Sequence, residues 1–513
     1  MTSAYVPPHL RNLTNQSPAT NQSSTPQFPQ NNASFHGRNP RYNNNRSMVH
    51  SYSAPGNLNN FSDEKIEELF ANNTENADMS VYEADVKVSS PINDKIEPIK
   101  QFPGCGINNL ILYAVGQIGY KNPTAVQKYS IPYILDGNDV LVTSQTGSGK
   151  TAAYMLPVLS QLLTIPAYNI NHNYDPVILV LAPTRELALQ IKDETLKFTK
   201  ETKLKTVCII GGADTAGQIR RLRNGCDILI ATPGRLIDIA NKNCLRLNLI
   251  RHLILDEADR MLDMGFEPQI KEIIDEFDMP ISENRQTLLF SATFPPEVKN
   301  LAKAYMKKNT TKIEVGIQDV PSLIEQRFVY VEDSSKLSKL LEKINEIQGQ
   351  TLVFAERKLR VDKIEEYLYD EGCHVVAIHG DRDLVNRCAA LKGFTSGKAN
   401  IMIATDVAAR GIDIQKVAHV INLDLPSDVD SYIHRIGRTG RAGRHGIATS
   451  FWNQSNVPFL HALIAHFKAN HQQIPQGLEN FERDYQRFGN RNSRGRSRGF
   501  GRDHSYDNVS YRH

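Results

Sequence analysis

The chain has few of the features that mark secreted, metal-bound or membrane-spanning proteins. Its six cysteines are scattered over 513 residues without a C-x-x-C pair, so their spacing predicts neither a disulfide framework nor a cysteine metal site. No apolar run approaches the ~20 residues that span a bilayer, and no basic segment precedes an apolar one at the N-terminus. These absences predict a soluble, intracellular protein with reduced thiols and no membrane partner.

Apolar residues are also scarce at the two ends of the chain. Residues 1–60 are rich in Asn, Ser, Pro and Gln, and residues 483–502 carry seven arginines among Gly, Ser and aromatic side chains. Such segments cannot bury enough apolar surface to fold. We predict disordered tails over 1–90 and 476–513. The first would contain a short acidic helix and the element YVPPHLRN, which could dock a partner; its occurrence by chance within a disordered tail fits the composition at least as well. The second would bind RNA without sequence preference, although a solubilising role fits the same composition.

Between the tails, short apolar runs alternate with amphipathic helical segments in two blocks. Strands that alternate with helices imply a parallel sheet covered on both faces. The predicted fold is therefore α/β, with two parallel-sheet domains in tandem over 91–314 and 325–475 and a linker over 315–324. The strands predicted in the first block are 140–143, 177–182, 206–210, 227–231, 252–255 and 287–290. Those in the second block are 327–331, 351–354, 374–378, 400–404, 417–422 and 448–451.

A glycine loop, SQTGSGKT, separates the first of these strands from a helix. It departs from the strict nucleotide-loop pattern at Ser144, where Gly is expected. Gly147 and Gly149 allow backbone N–H groups to turn toward an anion, Lys150 can reach the outer phosphates, and the Thr151 hydroxyl can hold Mg²⁺. The loop predicts a nucleotide site; a Gly/Ser turn before an ordinary helix is the alternative.

The acidic tetrapeptide DEAD supplies the other half of such a site. Asp256 follows the apolar run HLIL, so its carboxylate is expected where a strand ends, able to hold Mg²⁺ through water. Glu257 is then placed to orient or deprotonate an attacking water. By itself the tetrapeptide is more typical of a helix N-terminal charge pattern. Its pairing with the glycine loop favours the nucleotide site.

Ligands of parallel sheets bind beyond the carboxyl ends of the strands. In the first block, this rule brings to one rim the clusters SQTGSGKT, PTREL, GG, TPGR, DEAD and SAT. The second block has no glycine phosphate loop but contains arginines with interleaved glycines, in HRIGRTGRAGR. We predict that Arg438 and Arg441 stabilise charge on a transferred phosphoryl group in a cleft shared by the two blocks. A basic solvated loop is the alternative.

Residues from about 100 to 475 resemble the ATP-dependent DEAD-box RNA helicases. The motifs that carry the resemblance occur in the family's order: PTAVQ, SQTGSGKT, PTREL, GG, TPGR, DEAD, SAT, LVFAER, HGDR, ATDVAARGIDI and HRIGRTGR. YVPPHLRN, RMLDMGFEPQI and FERDYQR further resemble the branch of the Ded and Vasa helicases, nearest its translation-initiation members. Leu384 and Cys388 depart from the family pattern after HGDR, which predicts weaker strand separation than in relatives.

The resemblance implies two RecA-like domains, ATP and Mg²⁺ as cofactors, and roles for individual residues. Catalysis would fall to Lys150, Asp256, Glu257, Arg438 and Arg441. ATP would be bound by Phe102, Gln127, Ser144, Gln145, Thr146, Gly147, Ser148, Gly149, Lys150, Thr151 and Asp413, with the first two reading adenine and the last contacting the ribose. The RNA backbone would be gripped by Pro183, Thr184, Arg185, Gly212, Thr232, Gly234, Arg235, Gly380, Arg382 and Thr405. Nucleotide state would be coupled to domain closure by Asp259, Ser291, Thr293 and His434.

The same resemblance implies a function and a setting. The protein would be an RNA-dependent ATPase that separates short duplexes or remodels ribonucleoprotein, in mRNA translation or mRNP regulation. It would act as a monomeric core in the cytoplasm and in RNP granules, with nuclear shuttling, and its tails would recruit translation-initiation or mRNP proteins. The alternative from another class is an ATP-gated RNA clamp or granule scaffold with little strand separation.

Overall fold

The computed structural model describes residues 85–91, 96–145, 147–164, 175–316, 323–406, 414, 416–440, 445–470, 472–475, 477–479 and 481–482. The YVPPHLRN element, the predicted acidic helix and the Arg/Gly-rich tail lie outside these residues. So do three predicted site residues: Thr146, Asp413 and Arg441.

The first sheet is built from short apolar strands that alternate with helices. Its strands are β1 (Val86–Ser89), β2 (Val140–Thr143), β3 (Ile178–Leu181), β4 (Thr206–Ile209), β5 (Ile228–Ala231), β6 (His252–Leu255), β7 (Gln286–Ser291) and β8 (Thr311–Val315). The helices are α1 (Asn109–Ile118), α2 (Ala125–Leu135), α3 (Lys150–Thr164), α4 (Arg185–Thr199), α5 (Thr215–Arg223), α6 (Pro233–Ala240), α7 (Ala258–Asp263), α8 (Glu267–Asp275) and α9 (Pro296–Tyr305).

Alternate residues of the central strands point to opposite faces, and both faces are covered. Val140 and Val142 belong to a buried cluster that includes side chains of α1, α2, α3 and α4. Leu141 belongs to a second cluster on the other face, with side chains of α6, α7, α8 and α9. Burial on both faces explains why these strands read as continuous apolar runs rather than as alternating patterns.

The strand order of the first sheet is β1-β8-β2-β7-β6-β3-β5-β4. β1 pairs antiparallel with β8, and the other pairs are parallel. The strands that precede SQTGSGKT, SAT and DEAD are therefore neighbours (β2, β7, β6). The strands that precede PTREL, TPGR and GG form the next group (β3, β5, β4). This order brings the six clusters to one edge, as the sequence predicts, and divides them into two sets of three.

The second sheet contains β9 (Ile324–Tyr330), β10 (Gln350–Phe354), β11 (Val375–Ile378), β12 (Ile401–Ala404), β13 (Val417–Asn422) and β14 (Gly446–Trp452), in the order β11-β12-β10-β13-β14-β9. β10 pairs in parallel with β13, β11 with β12, β13 with β14, and β14 with β9. The accompanying helices are α10 (Lys336–Asn345), α11 (Lys358–Asp370), α12 (Leu384–Thr395), α13 (Val429–Ile436) and α14 (Val457–Ala469). The predicted α/β fold with two parallel-sheet domains in tandem is confirmed.

By compactness the chain divides into one unit of Met1–Gly316 with Arg357–Asp413 and another of Ile317–Glu356 with Ile414–His513. The second sheet contributes strands to both units, and the domain limits given above stay predictions. Within the described residues, no helix is long and apolar enough to cross a bilayer.

The sequence interpretation missed two strands, β1 and β8. Both alternate apolar with charged or polar residues, and the buried positions of β8 alternate with partly exposed ones. β1 also lies in the stretch assigned to the N-terminal tail, where it pairs in register with β8 from Val86↔Val315 to Ser89↔Lys312. In a four-residue strand next to a polar tail, the alternation of apolar and polar residues is too short to be recognised from sequence.

Candidate nucleotide and RNA site

The glycine loop follows β2 directly and ends where α3 begins. The Ser144 N–H donates to Ser291 O at 3.0 Å, which fixes the loop to the neighbouring strand β7. Gly147 and Gly149 have φ values of 80° and 87°, a left-handed region that favours glycine. The buried Lys150 Nζ donates to Ser144 O at 3.0 Å. The loop therefore curls around its own lysine, as expected of an anion-binding turn at a helix N-terminus.

Hydroxyl groups hold the middle of the loop. Ser144 Oγ and Ser148 Oγ are 3.0 Å apart, and Ser148 Oγ donates to Gln145 O at 2.8 Å. Thr151 is the second residue of α3, on the turn that follows the loop. The serine at the departure from the strict pattern thus contributes a side-chain contact that glycine lacks.

Of the two predicted adenine-reading residues, Gln127 and Phe102, Gln127 contacts this loop. Gln127 is buried; its Nε2 donates to Gly149 O at 3.1 Å, and its Oε1 accepts from Thr124 N at 2.9 Å. The Phe102 ring is 2% exposed and stacks on Tyr120 with centroids 6.4 Å apart. Gln127 therefore ties helix α2 to the loop. The adenine roles of both residues stay predictions.

Asp256 lies at the end of β6 with both carboxylate oxygens engaged. Oδ2 accepts from Tyr154 OH at 3.0 Å, and Oδ1 accepts from Glu257 N at 2.9 Å. Burial raises the pKa of Asp256 to about 6, against the lowering effect of the Lys150 charge. The Lys150 charge acts on Asp256, which places loop and carboxylate in one electrostatic site.

Glu257 has an unusual backbone. Its φ of 50° and ψ of 53° lie in the left-handed region, which a non-glycine residue adopts at a cost of about 1 kcal/mol. Its carboxylate lies 3.6 Å from the Arg260 guanidinium, and both side chains are buried. Strain of this kind at a sharp strand-to-helix turn is consistent with a residue held for its chemistry.

The residues present fit a single Mg²⁺ held mainly by oxygen atoms. Asp256 and the hydroxyl of Thr151 provide the hard oxygen donors that Mg²⁺ prefers, and Mg²⁺ usually takes one or two carboxylates with water and phosphate. Among the described residues there is no group of three or more His, Cys, Asp or Glu side chains that could form an all-protein metal cage. The donor set therefore suits an ion shared with a nucleotide.

Asp259 links DEAD to SAT. Its Oδ2 accepts from Ala292 N at 3.1 Å, from Thr293 N at 2.8 Å and from Thr293 Oγ1 at 2.9 Å. Its own N–H donates to Ser291 Oγ at 3.3 Å. Three of the four predicted coupling residues are thus in direct contact.

The predicted RNA residues of the first sheet lie at the ends of β3, β5 and β4. Thr184 Oγ1 accepts from Leu187 N at 3.3 Å and caps α4, and Thr232 precedes α6. The Arg185 guanidinium packs over the GG turn, where a Cβ on Gly212 would lie 2.4 Å from Nη1. Arg235 Nη1 donates to Ala213 O at 3.1 Å. Pro183 lies between β3 and α4, and Gly234 is the second residue of α6, so all of these residues share the second set of strand ends.

In the second sheet, Arg382 makes internal contacts that hold the HGDR turn. It is buried and its guanidinium donates to Asp362 Oδ1 at 2.6 Å, to Glu365 Oε2 at 2.6 Å and to Ala377 O at 2.8 Å. Its Nε lies 3.1 Å from His379 Nε2. Two carboxylates and a carbonyl therefore bind the guanidinium, and the RNA contact of Arg382 stays a prediction.

Gly380 and Thr405 lie at the ends of the neighbouring strands β11 and β12. A Cβ at Gly380 would meet only the end of Lys358, at 3.8 Å. The Thr405 N–H donates to Ile378 O at 3.4 Å, which joins the two strand ends. These two residues are therefore brought together, as the predicted RNA rim requires.

The arginine run divides into residues inside and beyond helix α13. Arg435 is 1% exposed; it donates to Asp424 O at 2.6 Å and lies 5.1 Å from the centre of the Phe354 ring. It therefore serves packing rather than a phosphate. Arg438 follows the helix, is buried, and its Nε donates to His434 O at 3.3 Å.

Comparison with known proteins gives consistent matches. The model of the DEAD/DEAH box helicase family matches residues 124–301, and that of the helicase conserved C-terminal domain matches residues 334–443. A Saccharomyces cerevisiae Dbp5 variant, solved bound to a Gle1 variant and IP6, is 30% identical, with 72% of this chain and 93% of that chain covered and a TM-score of 0.58.

Two further structures have nucleotide and RNA bound. S. cerevisiae Dbp5 bound to RNA and ADP BeF3 is 29% identical, with 72% of this chain and 94% of that chain covered and a TM-score of 0.63. Mss116p, bound to ssRNA and AMP-PNP, is 28% identical, with 72% and 78% covered and a TM-score of 0.64. The chain belongs to the DEAD-box helicase family. It is an enzyme, an RNA-dependent ATPase of the RNA helicase class.

Sequence reasoning missed Tyr154, whose hydroxyl reaches Asp256. The signal available was spacing: Tyr154 is four residues after Lys150, so the two share a helix face. An aromatic residue in a buried helix is otherwise expected to serve packing alone.

Proposed function

We propose that this protein hydrolyses ATP at the β2–β7–β6 edge and uses the energy to separate short RNA duplexes or to remodel ribonucleoprotein, in mRNA translation or mRNP regulation. The observation that carries the proposal is the adjacency of the three strand ends that bear Lys150, Asp256 and the Asp259–Thr293 contacts. The relatives bound to RNA together with ADP BeF3 or AMP-PNP support it.

Each ATP-site residue has a distinct task in the proposal. Lys150 leaves Ser144 O to neutralise the outer phosphates, and Gln127 and Phe102 recognise adenine. Asp256 and Thr151 would hold Mg²⁺, which would supply positive charge to the phosphates of ATP. Glu257 orients the attacking water and takes its proton. Arg438 and Arg441 stabilise the transferred phosphoryl group, and Asp413 contacts the ribose.

RNA is bound through its sugar-phosphate backbone. Helix N-termini at Thr184 and Thr232 and the guanidinium groups of Arg185 and Arg235 suit phosphate oxygens, which position a strand without reading its bases. Gly380 and Thr405 contribute from the second sheet. The nucleotide bound at the ATP site affects RNA binding through four residues: Asp259, Ser291, Thr293 and His434.

The first experiment is steady-state ATP hydrolysis with and without single-stranded RNA, beside release of a labelled strand from a short duplex. We expect RNA-stimulated hydrolysis with strand release. Stimulated hydrolysis without release would favour the RNA clamp, and no stimulation would contradict an RNA-dependent ATPase. Glu257→Gln should lose hydrolysis while it retains ATP-dependent RNA binding, and Glu297→Gln, at an exposed position of α9, serves as the control.

We further propose that the protein belongs to the Ded/Vasa branch, acts in the cytoplasm and in RNP granules with nuclear shuttling, and recruits translation-initiation or mRNP proteins through its tails. YVPPHLRN and FERDYQR support this assignment. Deletion of residues 1–60 should abolish partner recovery in a quantitative pull-down while it leaves RNA-stimulated ATP hydrolysis intact. Loss of both activities together would contradict a separate recruiting role.

A further inference from the structure

Tyr154 lies in the first turns of α3, the helix that starts at the end of the glycine loop. It is completely buried, and its ring packs edge-on against Phe290 of β7, with centroids 5.0 Å apart and planes at 63°. A fully buried ring is held by close packing with its neighbours. The position of its hydroxyl is therefore fixed by the sheet and the helix together.

That hydroxyl joins two segments that are far apart in sequence. Tyr154 OH donates to Asp256 Oδ2 at 3.0 Å, across 102 residues. The other oxygen of Asp256 accepts from Glu257 N at 2.9 Å. With one donor on each oxygen, the plane of the carboxylate is defined from both sides.

We propose that Tyr154 is a positioning residue for the ATPase reaction, whose hydroxyl holds the Asp256 carboxylate in the orientation that binds the Mg²⁺–nucleotide complex. The inference rests on the proposed function, because it assigns Asp256 to that complex. It goes beyond it by giving a buried aromatic side chain of the loop helix a part in cation binding. Tyr154 does not touch the substrate; it acts through Asp256.

The geometry also explains why packing alone does not account for a tyrosine here. A phenylalanine would keep the contact with Phe290 and fill the same space. It would leave one buried carboxylate oxygen without its donor, and loss of a partner that orients a metal-binding side chain typically costs about 10–100-fold in metal affinity.

The test uses Tyr154→Phe in the full chain and equilibrium binding of a fluorescent ADP analogue, titrated with Mg²⁺. We expect the Mg²⁺ concentration for half-maximal nucleotide binding to rise about 10–100-fold, with nucleotide binding in EDTA unchanged. In the ATPase reaction, kcat at a fixed low Mg²⁺ should fall and should recover at high Mg²⁺. A structural role would not produce recovery by Mg²⁺.

Tyr305→Phe is the matched control. The hydroxyl of the half-buried Tyr305 donates to Oδ2 of the exposed Asp275 at 3.3 Å, so the substitution removes the same kind of hydrogen bond elsewhere. Mg²⁺ dependence should not change in this variant. A Tyr154→Phe protein with the wild-type Mg²⁺ dependence would overturn the proposal.

A double-mutant cycle with Asp256→Asn keeps the inference testable if Tyr154→Phe lowers stability. If Tyr154 acts through Asp256, Tyr154→Phe causes no further change in Mg²⁺ dependence in a protein that already carries Asp256→Asn. An additive effect would contradict the positioning role. If nucleotide binding by the wild-type protein is itself independent of Mg²⁺, the proposed function fails rather than the role of Tyr154.

Discussion

Buried histidines of both sheets carry a consequence for stability at the residue scale. His252 Nδ1 lies 3.0 Å from Gln286 Oε1, and His419 Nε2 lies 2.8 Å from Thr449 Oγ1. Both imidazoles are buried, and burial lowers the pKa of each from 6.5 to about 4. They are therefore neutral in the folded protein at pH values where the unfolded chain would protonate them.

The stability of the protein should decrease as pH falls from 6.5 toward 4. The folded pKa lies below the unfolded one, so the unfolded state binds more protons in this window and the free energy of unfolding falls. Between pH 7.5 and 5, His419 alone accounts for a loss of about 2 kcal/mol. Urea denaturation of His419→Gln should show a correspondingly smaller pH dependence, whatever its absolute stability.

His445→Gln, at an exposed position, is the control for this experiment. Its pH dependence should match that of the wild-type protein. The same pH slope in His419→Gln and in the wild-type protein would contradict the assignment of the effect to the buried imidazole.

At the scale of elements, the loop between β2 and α3 depends on the absence of a side chain at Gly149. A Cβ there would lie 2.6 Å from Gln127 Nε2, in addition to the left-handed φ. Gly137 has a similar φ of 82° with nothing within 4 Å of its Cβ position. A side chain at either glycine would strain the backbone, but only at Gly149 would it also clash with a neighbouring side chain.

Gly149→Ala should lose nucleotide binding and be destabilised more than Gly137→Ala. Both substitutions carry the left-handed strain, about 1 kcal/mol, but only the first displaces Gln127 from the loop. Urea denaturation and equilibrium binding of a fluorescent ADP analogue measure the two effects. Equal losses in both variants would show that the contact with Gln127 does not matter.

The strand β1 is expected to contribute to the stability of the first sheet. Val86 and Val88 are partly buried against the first cluster, and Gly316 N donates to Asp85 O at 2.6 Å. A chain that begins at residue 91 should therefore have a lower urea midpoint than one that begins at residue 85. The expected loss in the free energy of unfolding is about 1–3 kcal/mol for two partly buried valines. Identical midpoints would mean that β1 adds nothing to the sheet.

Most elements could be predicted from the sequence, because each buried parallel strand is a continuous apolar run between turn residues. β2, β6 and β13 have the bounds that the sequence predicts, and nine others agree within a few residues. The side-chain partners could not be predicted. Arg382 and Arg435 each read as a candidate for phosphate, and only the folded positions of Asp362 and Phe354 show that they are bound internally.

At the scale of the whole molecule, charge is divided unevenly along the chain. The net charge is only +3, yet seven arginines fall within residues 483–502. Phosphate contacts release counterions, so each arginine that contacts single-stranded RNA contributes about 0.7 to the slope of log affinity against log salt. The tail would add affinity without adding sequence preference.

Replacement of these seven arginines by glutamine should therefore weaken RNA binding and reduce its salt dependence. The aromatic positions of the same tail, Tyr485, Phe488 and Phe500, provide the matched comparison. Their replacement by leucine should weaken binding without changing the salt slope, because stacking releases no counterions. An unchanged slope in the arginine variant would show that the tail does not contact RNA phosphates.

The left-handed backbone of Glu257 has a consequence for protein engineering. Glycine adopts that conformation without strain, so a library selected for heat resistance alone would enrich glycine at this position. The glycine variant would be more thermally stable and would lack the carboxylate proposed to activate water. A selection for thermal stability in this fold therefore has to measure catalytic turnover as well.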